Sequence, residues 1–350
     1  MRAFALILSI AAALAAGCST IGYYMQSVEG QLALLQSRQE IKQMLADPAT
    51  PAPLKQRLER ALTIRDFASA ELKLPDNESY RSYADLQRPF VVWNVFATKE
   101  FSIKPEQWCF PIAGCVGYRG YFSKAGADNF AGELRAEGFD VYVGGVPAYS
   151  TLGWFNDPML NTFVNYSEYE VSRLIFHELA HQVLYVQGET EFNESFAVTV
   201  ELEGVRRWMD SHGDEKMRAD VARAQQRRAQ FAALVLKYRD ELGALYRTRL
   251  ATAEMRERKV ATFKALSEDY RKLKEEWGSF GGYDRFLEEP NNAKLASISF
   301  YNTLVPKFQQ LLARLNGDLP AFYAEVKRLA AMSKAARYRA LGAAPPESGD

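Results

Sequence analysis

The sequence predicts an α+β, mostly helical chain in which a small sheet lies beside a buried helix. Long stretches carry apolar residues at helical spacing, and three short tracts are rich in β-branched and aromatic residues. The helical stretches are 22–45, 53–73, 197–275 and 306–337, and the predicted strands are 89–97, 118–122 and 139–143. A hydrophobic content of 48% over 350 residues is enough for a substantial core, in one large domain or two intimate ones.

Taken in chain order, the first two helices form a hairpin, because Asp47-Pro48-Ala49-Thr50-Pro51 must break the helix between them. The first strand follows, then the second, and a helix over 124–137 ends near Gly138 before the third strand. The segment 279–306 contains Gly281-Gly282 and Pro290, which interrupt the C-terminal helical pattern. That segment could return to the same cleft as the strands.

The N-terminus has the pattern of a secretory signal, with one positive charge at Arg2 and an apolar run from Phe4 to Ala16. Small residues directly before Cys18 resemble a bacterial lipobox. The resemblance implies removal of residues 1–17, lipid on Cys18 and a periplasmic location, and Ser19 implies sorting to the outer membrane. An ordinary signal peptide cleaved nearby is the alternative.

Loss of Arg2 would leave 42 Lys+Arg of the 43, against 43 Asp+Glu, so the net charge would be about −1. A net charge so close to zero does not indicate a nucleic-acid-binding protein. The remaining cysteines, Cys109 and Cys115, flank a segment with Pro111 and Gly114, as a small looped disulfide needs. An oxidising compartment favours that bond, and two buried thiols are the alternative.

The segment that carries chemistry is His-Glu-Leu-Ala-His at residues 177–181. On a helix, His177 and His181 share a face, so both imidazoles can point at one ion. Their neighbours over 174–184 are mostly apolar, which predicts a buried helix. Burying two imidazoles and a carboxylate without partners costs several kcal/mol, and a metal removes that cost. This spacing is typical of a zinc site in which Glu178 acts on a metal-bound water.

A third ligand is expected from a second helix that begins after Gly188, near Asn193. Glu194 on that helix can reach back to the ion, and two histidines, one glutamate and a water form the open set of catalytic zinc. Glu191 and Glu201 are alternative ligands. Glu201 lies two helical turns after Glu194. It could instead hydrogen-bond the ring nitrogen of a ligand histidine that does not bind the ion, or be a solvated glutamate. No cysteine lies nearby, which argues against a closed structural zinc site.

The motif and the following Asn-Glu-Ser-Phe-Ala block resemble the gluzincin peptidases. The block is similar to the Asn-Glu-Gly-Phe-Ala of zinc aminopeptidases, with Ser195 in place of the glycine. The chain resembles a family of predicted bacterial aminopeptidases that are usually envelope lipoproteins, most strongly over 117–205. This implies a zincin-like catalytic core with a small sheet beside the motif helix, long flanking helices and one Zn²⁺ per chain. The spacer before Glu194 is shorter than in thermolysin-like enzymes.

The predicted organisation has five parts. Residues 1–17 are the signal peptide, 18–75 an N-terminal helical hairpin, 76–205 the catalytic core, 206–340 a helical region completing the cleft, and 341–350 a disordered tail. Within the core, 145–156 could be an edge strand that pairs with an extended peptide, or a plain surface loop. His212 lies in a polar turn and is not expected to be a ligand.

The expected function is peptide hydrolysis, with peptide as substrate. Glu178 would take a proton from water and deliver it to the leaving amine. Tyr149 and Tyr301 are candidate oxyanion donors, and Glu189 and Glu191 are candidates to hold a substrate α-ammonium, as an aminopeptidase requires. The alternatives are an envelope endopeptidase, or a non-catalytic lipoprotein that binds peptides and is stabilised by metal. The sequence does not predict the oligomeric state.

Overall fold

The structure is a computed structural model that describes residues 22–110, 114–299 and 303–344. The predicted signal peptide, Cys18 and Tyr301 lie outside the described residues, as do residues 345–350 of the predicted tail. The described chain is mostly helical with small sheets, as the α+β prediction required.

The helices are α1 (residues 22–36), α2 (Ile41–Ala46), α3 (Ala52–Ala70), α4 (Lys124–Ala136), α5 (Glu168–Val183), α6 (Thr190–His212), α7 (Glu215–Tyr246), α8 (Thr252–Glu276), α9 (Asp284–Leu287), α10 (Asn292–Ser299), α11 (Val305–Arg314), α12 (Leu319–Ala330) and α13 (Lys334–Ala340). The strands are β1 (Gln39–Glu40), β2 (Ser82–Ala84), β3 (Val92–Thr98), β4 (Trp108–Phe110), β5 (Gly114–Val116), β6 (Arg119–Tyr121), β7 (Asp140–Val146) and β8 (Met159–Leu160).

The sheet that borders the site has the order β6-β3-β7. Its centre, β3, is buried along its whole length and pairs antiparallel with both neighbours, from Val92↔Val146 to Thr98↔Asp140 on the β7 side. Burial on both faces explains why this strand is a continuous β-branched and aromatic run. Helix α4 packs on the sheet and closes a small core with residues such as Val95 and Ala131.

The motif helix α5 and the following α6 form a closely packed pair inside the largest core. Ser167 caps α5 by accepting a hydrogen bond from the Glu170 amide, and acidic residues in the first turn complement the helix dipole. Gly204 of α6 allows the close approach, because a Cβ there would lie 2.7 Å from Leu72 and from Phe176. The two helices therefore approach closely at Gly204, which brings their facing side chains together.

A second core lies between α7 and α8, where Phe231, Val235 and Leu266 are buried. Helix α10 packs against α7, β3 and β7, so part of the interrupted segment 279–306 does return to the sheet. Among the described residues, no helix combines the length and the apolar character needed to cross a bilayer.

Three details differ from the sequence-based expectations. The predicted helix over 22–45 is broken, because Gln39 and Glu40 form β1 and pair with β2. The predicted edge strand over 145–156 stops at Val146, the last residue of β7, and pairs with β3. Leu341, assigned to the tail, is buried in the largest core. Each difference depends on tertiary contacts that local patterns do not contain.

Candidate metal centre

Helix α5 places His177 and His181 one turn apart, with their ring centroids 4.9 Å from each other. Both side chains are at least 90% buried. Glu194 approaches from α6, with one carboxylate oxygen 3.2 Å from Nε2 of His177 and 3.7 Å from Nε2 of His181. One donor atom of each residue lies within 4.8 Å of the other two, so the trio predicted from the sequence could hold a metal ion.

The donor set fits a metal. Two atoms that each bind one tetrahedral ion at roughly 2.1 Å must lie about 3.4 Å apart, and the two distances to Glu194 bracket that value. In addition, Nδ1 of His181 is buried without a hydrogen-bond partner among the described residues. A neutral His181 that binds an ion through Nε2 carries its proton on that Nδ1. Two imidazole nitrogens and one carboxylate oxygen suit zinc and leave further coordination positions open.

The short spacer between the two motifs is held by Asn193. Its side chain accepts a hydrogen bond from the Val186 amide and donates one to the Val186 carbonyl, both at 2.8 Å. Gly188 adopts a φ of +75°, a left-handed conformation that permits the turn into α6. This clamp explains how so few residues bring Glu194 back to the histidines.

A disulfide-bonded hairpin supports the same loop. Cys109 and Cys115 are bonded to each other across β4 and β5. Gly114, the first residue of β5, packs so tightly on the spacer that a Cβ on it would lie 2.5 Å from the Gly188 nitrogen. Phe110 and Val116 of this hairpin line the cleft in front of the histidines.

Glu201 binds the opposite nitrogen of His177. One of its oxygens lies 3.0 Å from Nδ1 of His177, and the other accepts hydrogen bonds from Arg173 at 3.3 Å and Arg228 at 2.6 Å. The Glu201 side chain is fully buried. It is therefore positioned to orient the His177 ring rather than to bind the ion, which leaves Nε2 of His177 for the metal.

The electrostatics of the trio are those of a cation site. Burial acts to lower the pKa of His177, but hydrogen bonds to Glu194 and Glu201 outweigh it and raise that pKa to about 10. Although burial acts to raise the pKa of Glu194, the neighbouring histidines lower it to about 2. The carboxylates thus favour a positive charge between them, which a proton or a metal ion can supply.

Glu178 lies beside the trio and lines the cleft. Burial raises the pKa of its carboxyl above the usual range. It makes no hydrogen bond to any other described residue, so its carboxylate is available to a bound molecule. An available carboxylate next to a metal site is the arrangement that proton transfer to and from a substrate needs.

The cleft has a volume of about 550 Å³ and runs between the β3 sheet, the loop after β7 and helices α5, α6 and α7. Two tyrosines that the sequence did not single out, Tyr118 and Tyr185, line it near the trio. Burial raises the pKa of Tyr118, and Glu194 and Glu178 raise it further, so its hydroxyl stays protonated near both carboxylates. Tyr118 directly precedes β6. Its place in the cleft follows from where β6 lies in the fold, which local sequence patterns do not indicate.

The structure does not place every predicted site residue where its proposed role requires. Tyr149 lines the cleft, but its hydroxyl donates a hydrogen bond to Gln31 of α1. Glu189 lies 3.6 Å from Arg337, and Glu191 accepts a hydrogen bond from Tyr338, so both point toward α13 instead of the cleft. The suggestion that they hold a substrate ammonium is wrong, because proximity in sequence does not give the direction of a side chain.

Behind Glu178, a buried polar group includes Asp157, whose carboxylate accepts hydrogen bonds from the amide and hydroxyl of Thr151. Burial raises the pKa of Asp157 from 3.8 to about 7, against the effect of those hydrogen bonds. The hydroxyl of Tyr80 is buried nearby without a hydrogen-bond partner among the described residues. This group anchors the loop after β7, which forms one wall of the cleft.

The fold and the site define a mostly helical α+β protein with a cleft that contains a buried His-His-Glu cluster able to hold a metal ion. The family model described as "Putative aminopeptidase" matches residues 22–341, so the chain belongs to that family. Membership suggests peptidase activity and a peptide substrate. Among curated proteins and among solved structures, none matches the chain.

Glu201→Gln is expected to weaken metal binding about 10- to 100-fold, because partners that orient a ligand histidine typically contribute that much. The measurement is competition with a chromophoric chelator on protein shown to be folded by circular dichroism. Glu203→Gln is the matched control, since Glu203 pairs with Arg206 and Arg207 instead of His177. Equal affinity in the wild type and Glu201→Gln would contradict the role.

The raised pKa of Asp157 predicts that the difference in stability between the wild type and Asp157→Asn depends on pH. Because its folded pKa is raised, the folded state binds its proton more tightly, and this stabilisation is present below pH ~4 and lost as pH rises through 7. Relative to Asp157→Asn, the wild type should lose up to about 4 kcal/mol of unfolding free energy over that range. Urea titrations at several pH values measure it, with exposed Asp128→Asn as control. A pH-independent difference would contradict the buried carboxyl.

Proposed function

We propose that the protein is a zinc-dependent peptidase that removes residues from the N-terminus of peptides. The observation that carries this proposal is the convergence of His177, His181 and Glu194 on one point, with the available carboxylate of Glu178 beside it. Membership of the putative aminopeptidase family supports the same reaction and favours an exopeptidase.

Zinc is the metal that two imidazoles and one carboxylate favour, and an incomplete protein ligand set is typical of its catalytic sites. Bound there, Zn²⁺ supplies Lewis-acid chemistry, polarising a carbonyl and lowering the pKa of water. His177, His181 and Glu194 hold it, and Glu201 fixes the ring of His177. The buried setting keeps these groups in place without reorganisation.

Glu178 is the general base and then the general acid. Its carboxylate accepts a proton from the attacking water and delivers it to the nitrogen of the leaving amine. Its position on α5, next to His177, places its side chain in the cleft together with the three proposed ligands. Tyr118 is the residue that we assign to the carbonyl oxygen, since its protonated hydroxyl lines the cleft near Glu178 and Glu194.

The protein is further proposed to be held at the bacterial envelope, on the periplasmic side of the outer membrane, by lipid on Cys18. The lipobox-like residues before Cys18 support this. So does the exposed face of α1, which begins within a few residues of the anchor and carries Tyr24, Val28 and Leu32 at one-turn spacing. An exposed apolar stripe of this kind suits a lipid surface.

Glu178→Gln should keep the metal and lower kcat by a factor of about 10² to 10⁴ or more, because it removes proton transfer but no ligand. The measurement is hydrolysis of an unblocked peptide library by zinc-loaded protein, read by mass spectrometry together with metal content. Exposed Glu257→Gln is the control. An active Glu178→Gln would refute the mechanism, and an inactive wild type with bound metal would favour a peptide-binding protein.

The exopeptidase assignment predicts that N-acetylation of a peptide blocks its cleavage, since a free α-amino group is part of what an aminopeptidase recognises. Paired peptides, identical except for the acetyl group, give the comparison in one assay. Cleavage of both at internal bonds would instead identify an endopeptidase.

The anchor predicts that the full-length chain expressed in a bacterium incorporates labelled palmitate and partitions into detergent. Cys18→Ser should lose the label, whereas Ser19→Ala should keep it. A wild-type chain without label, cleaved elsewhere, would indicate an ordinary signal peptide.

A further inference from the structure

Two guanidinium groups line the cleft. Besides the metal centre and Glu178, its charged lining residues in the described chain are Arg173 of α5 and Arg228 of α7. Their side chains are 20% and 32% exposed, so both guanidinium groups are partly desolvated while remaining accessible from the cleft. Charge in such a setting acts more strongly than on an open surface.

Part of the Arg228 guanidinium group is not hydrogen-bonded within the described chain. Its Nη1 donates to Glu201, and its Nε and Nη2 make no hydrogen bond to any other described residue. The Glu201 oxygen that it contacts also accepts from Arg173, while the other Glu201 oxygen lies against His177. Arg173 has a second carboxylate partner, since its Nε lies 3.0 Å from Glu170, whereas Arg228 shares Glu201 with Arg173 and His177 and has no other carboxylate partner among the described residues.

The cleft lining contains few acidic side chains that could compete for these donors. Among the described residues that line the cleft, the carboxylates are Glu178 and Glu194, both at the metal centre. Glu189 and Glu191, which precede the ligand Glu194 in the chain, face α13. The unused N–H donors of Arg228 therefore suit a ligand carboxylate, and a substrate ammonium could not take their place.

We propose that Arg228, supported by Arg173, forms a subsite for a substrate carboxylate, so that the preferred substrates are short peptides with a carboxylate close to the scissile bond. The proposal rests on the proposed peptidase function and adds its substrate class. A planar guanidinium offers two parallel N–H donors that match a carboxylate, and that geometry is specific as well as strong.

The position of the subsite sets the peptide length. Arg228 is separated from the metal-facing nitrogen of His177 by only one carboxylate and one imidazole ring. At ~3.3 Å per extended residue, a carboxylate on Arg228 lies within roughly three residues of a bond held at the metal centre. The α-carboxylate of a dipeptide to tetrapeptide, or an acidic side chain at the same distance, has the required chemistry.

The test compares trialanine as the free acid, trialanine amide, and the amide of Ala-Ala-Glu, using zinc-loaded full-length protein. The wild type should prefer the free acid over the amide by about 10- to 100-fold in kcat/KM, mostly through KM, as expected for a hydrogen-bonded ion pair. The amide of Ala-Ala-Glu shows which carboxylate is recognised. Its kcat/KM should equal that of trialanine if a side-chain carboxylate is bound, and that of trialanine amide if only the α-carboxylate is bound.

In Arg228→Gln the preference for the acid should fall to near 1, and Arg228→Lys should restore part of it, because charge remains without the fork. Arg227→Gln is the matched control, since the adjacent Arg227 donates to the Trp277 carbonyl and stacks on Phe280 away from the cleft. Equal use of acid and amide by the wild type would overturn the proposal. So would equal losses on both substrates in Arg228→Gln, which would mean that Arg228 acts only through Glu201.

Binding separates this proposal from the proposed function. Calorimetry of zinc-loaded Glu178→Gln with the same peptides should show the same preference for the free acid. If the wild type cleaves no peptide but this preference in binding persists, the peptidase function fails and the carboxylate subsite stands. If cleavage occurs without any preference, the subsite fails and the peptidase function stands.

Discussion

The site depends on one constraint: helix α6 contacts both ring nitrogens of His177 on helix α5. Glu194 lies 3.2 Å from Nε2 and Glu201 lies 3.0 Å from Nδ1, two helical turns apart on the same face. The ring cannot rotate without breaking a buried contact between one of its nitrogens and a carboxylate. Because α5 and α6 pack tightly along their length, this contact also fixes His181 and Glu178 relative to Glu194.

The surrounding structure maintains that pair. Asn193 and the disulfide-bonded hairpin shape the short spacer, while Arg173 and Arg228 compensate the buried charge of Glu201. Removing one partner from such a network would leave uncompensated charge in a dry environment, which costs several kcal/mol. The same arginines line the cleft, so in the proposed carboxylate subsite the support of the metal ligands and the recognition of substrate would be linked through Glu201.

Much of this could be predicted from the sequence where the information is local. The i, i+4 spacing of His177 and His181 and the apolar run around them define both a buried helix and its ligands, and the two-turn spacing of Glu194 and Glu201 puts them on one face. The break of the first helix by β1 could not be predicted, because it depends on pairing with β2. Likewise, the directions of Glu189 and Glu191, and the presence of Tyr118 and Arg228 in the cleft, depend on elements distant in sequence.

The central claim is that His177, His181 and Glu194 together hold one zinc ion. Anomalous diffraction at the zinc absorption edge, from crystals of the zinc-loaded protein, tests it most directly. The account predicts one strong peak per chain, about 2.0–2.2 Å from Nε2 of each histidine and from a Glu194 oxygen. No peak between these three side chains, or a peak only at some other site, would contradict it.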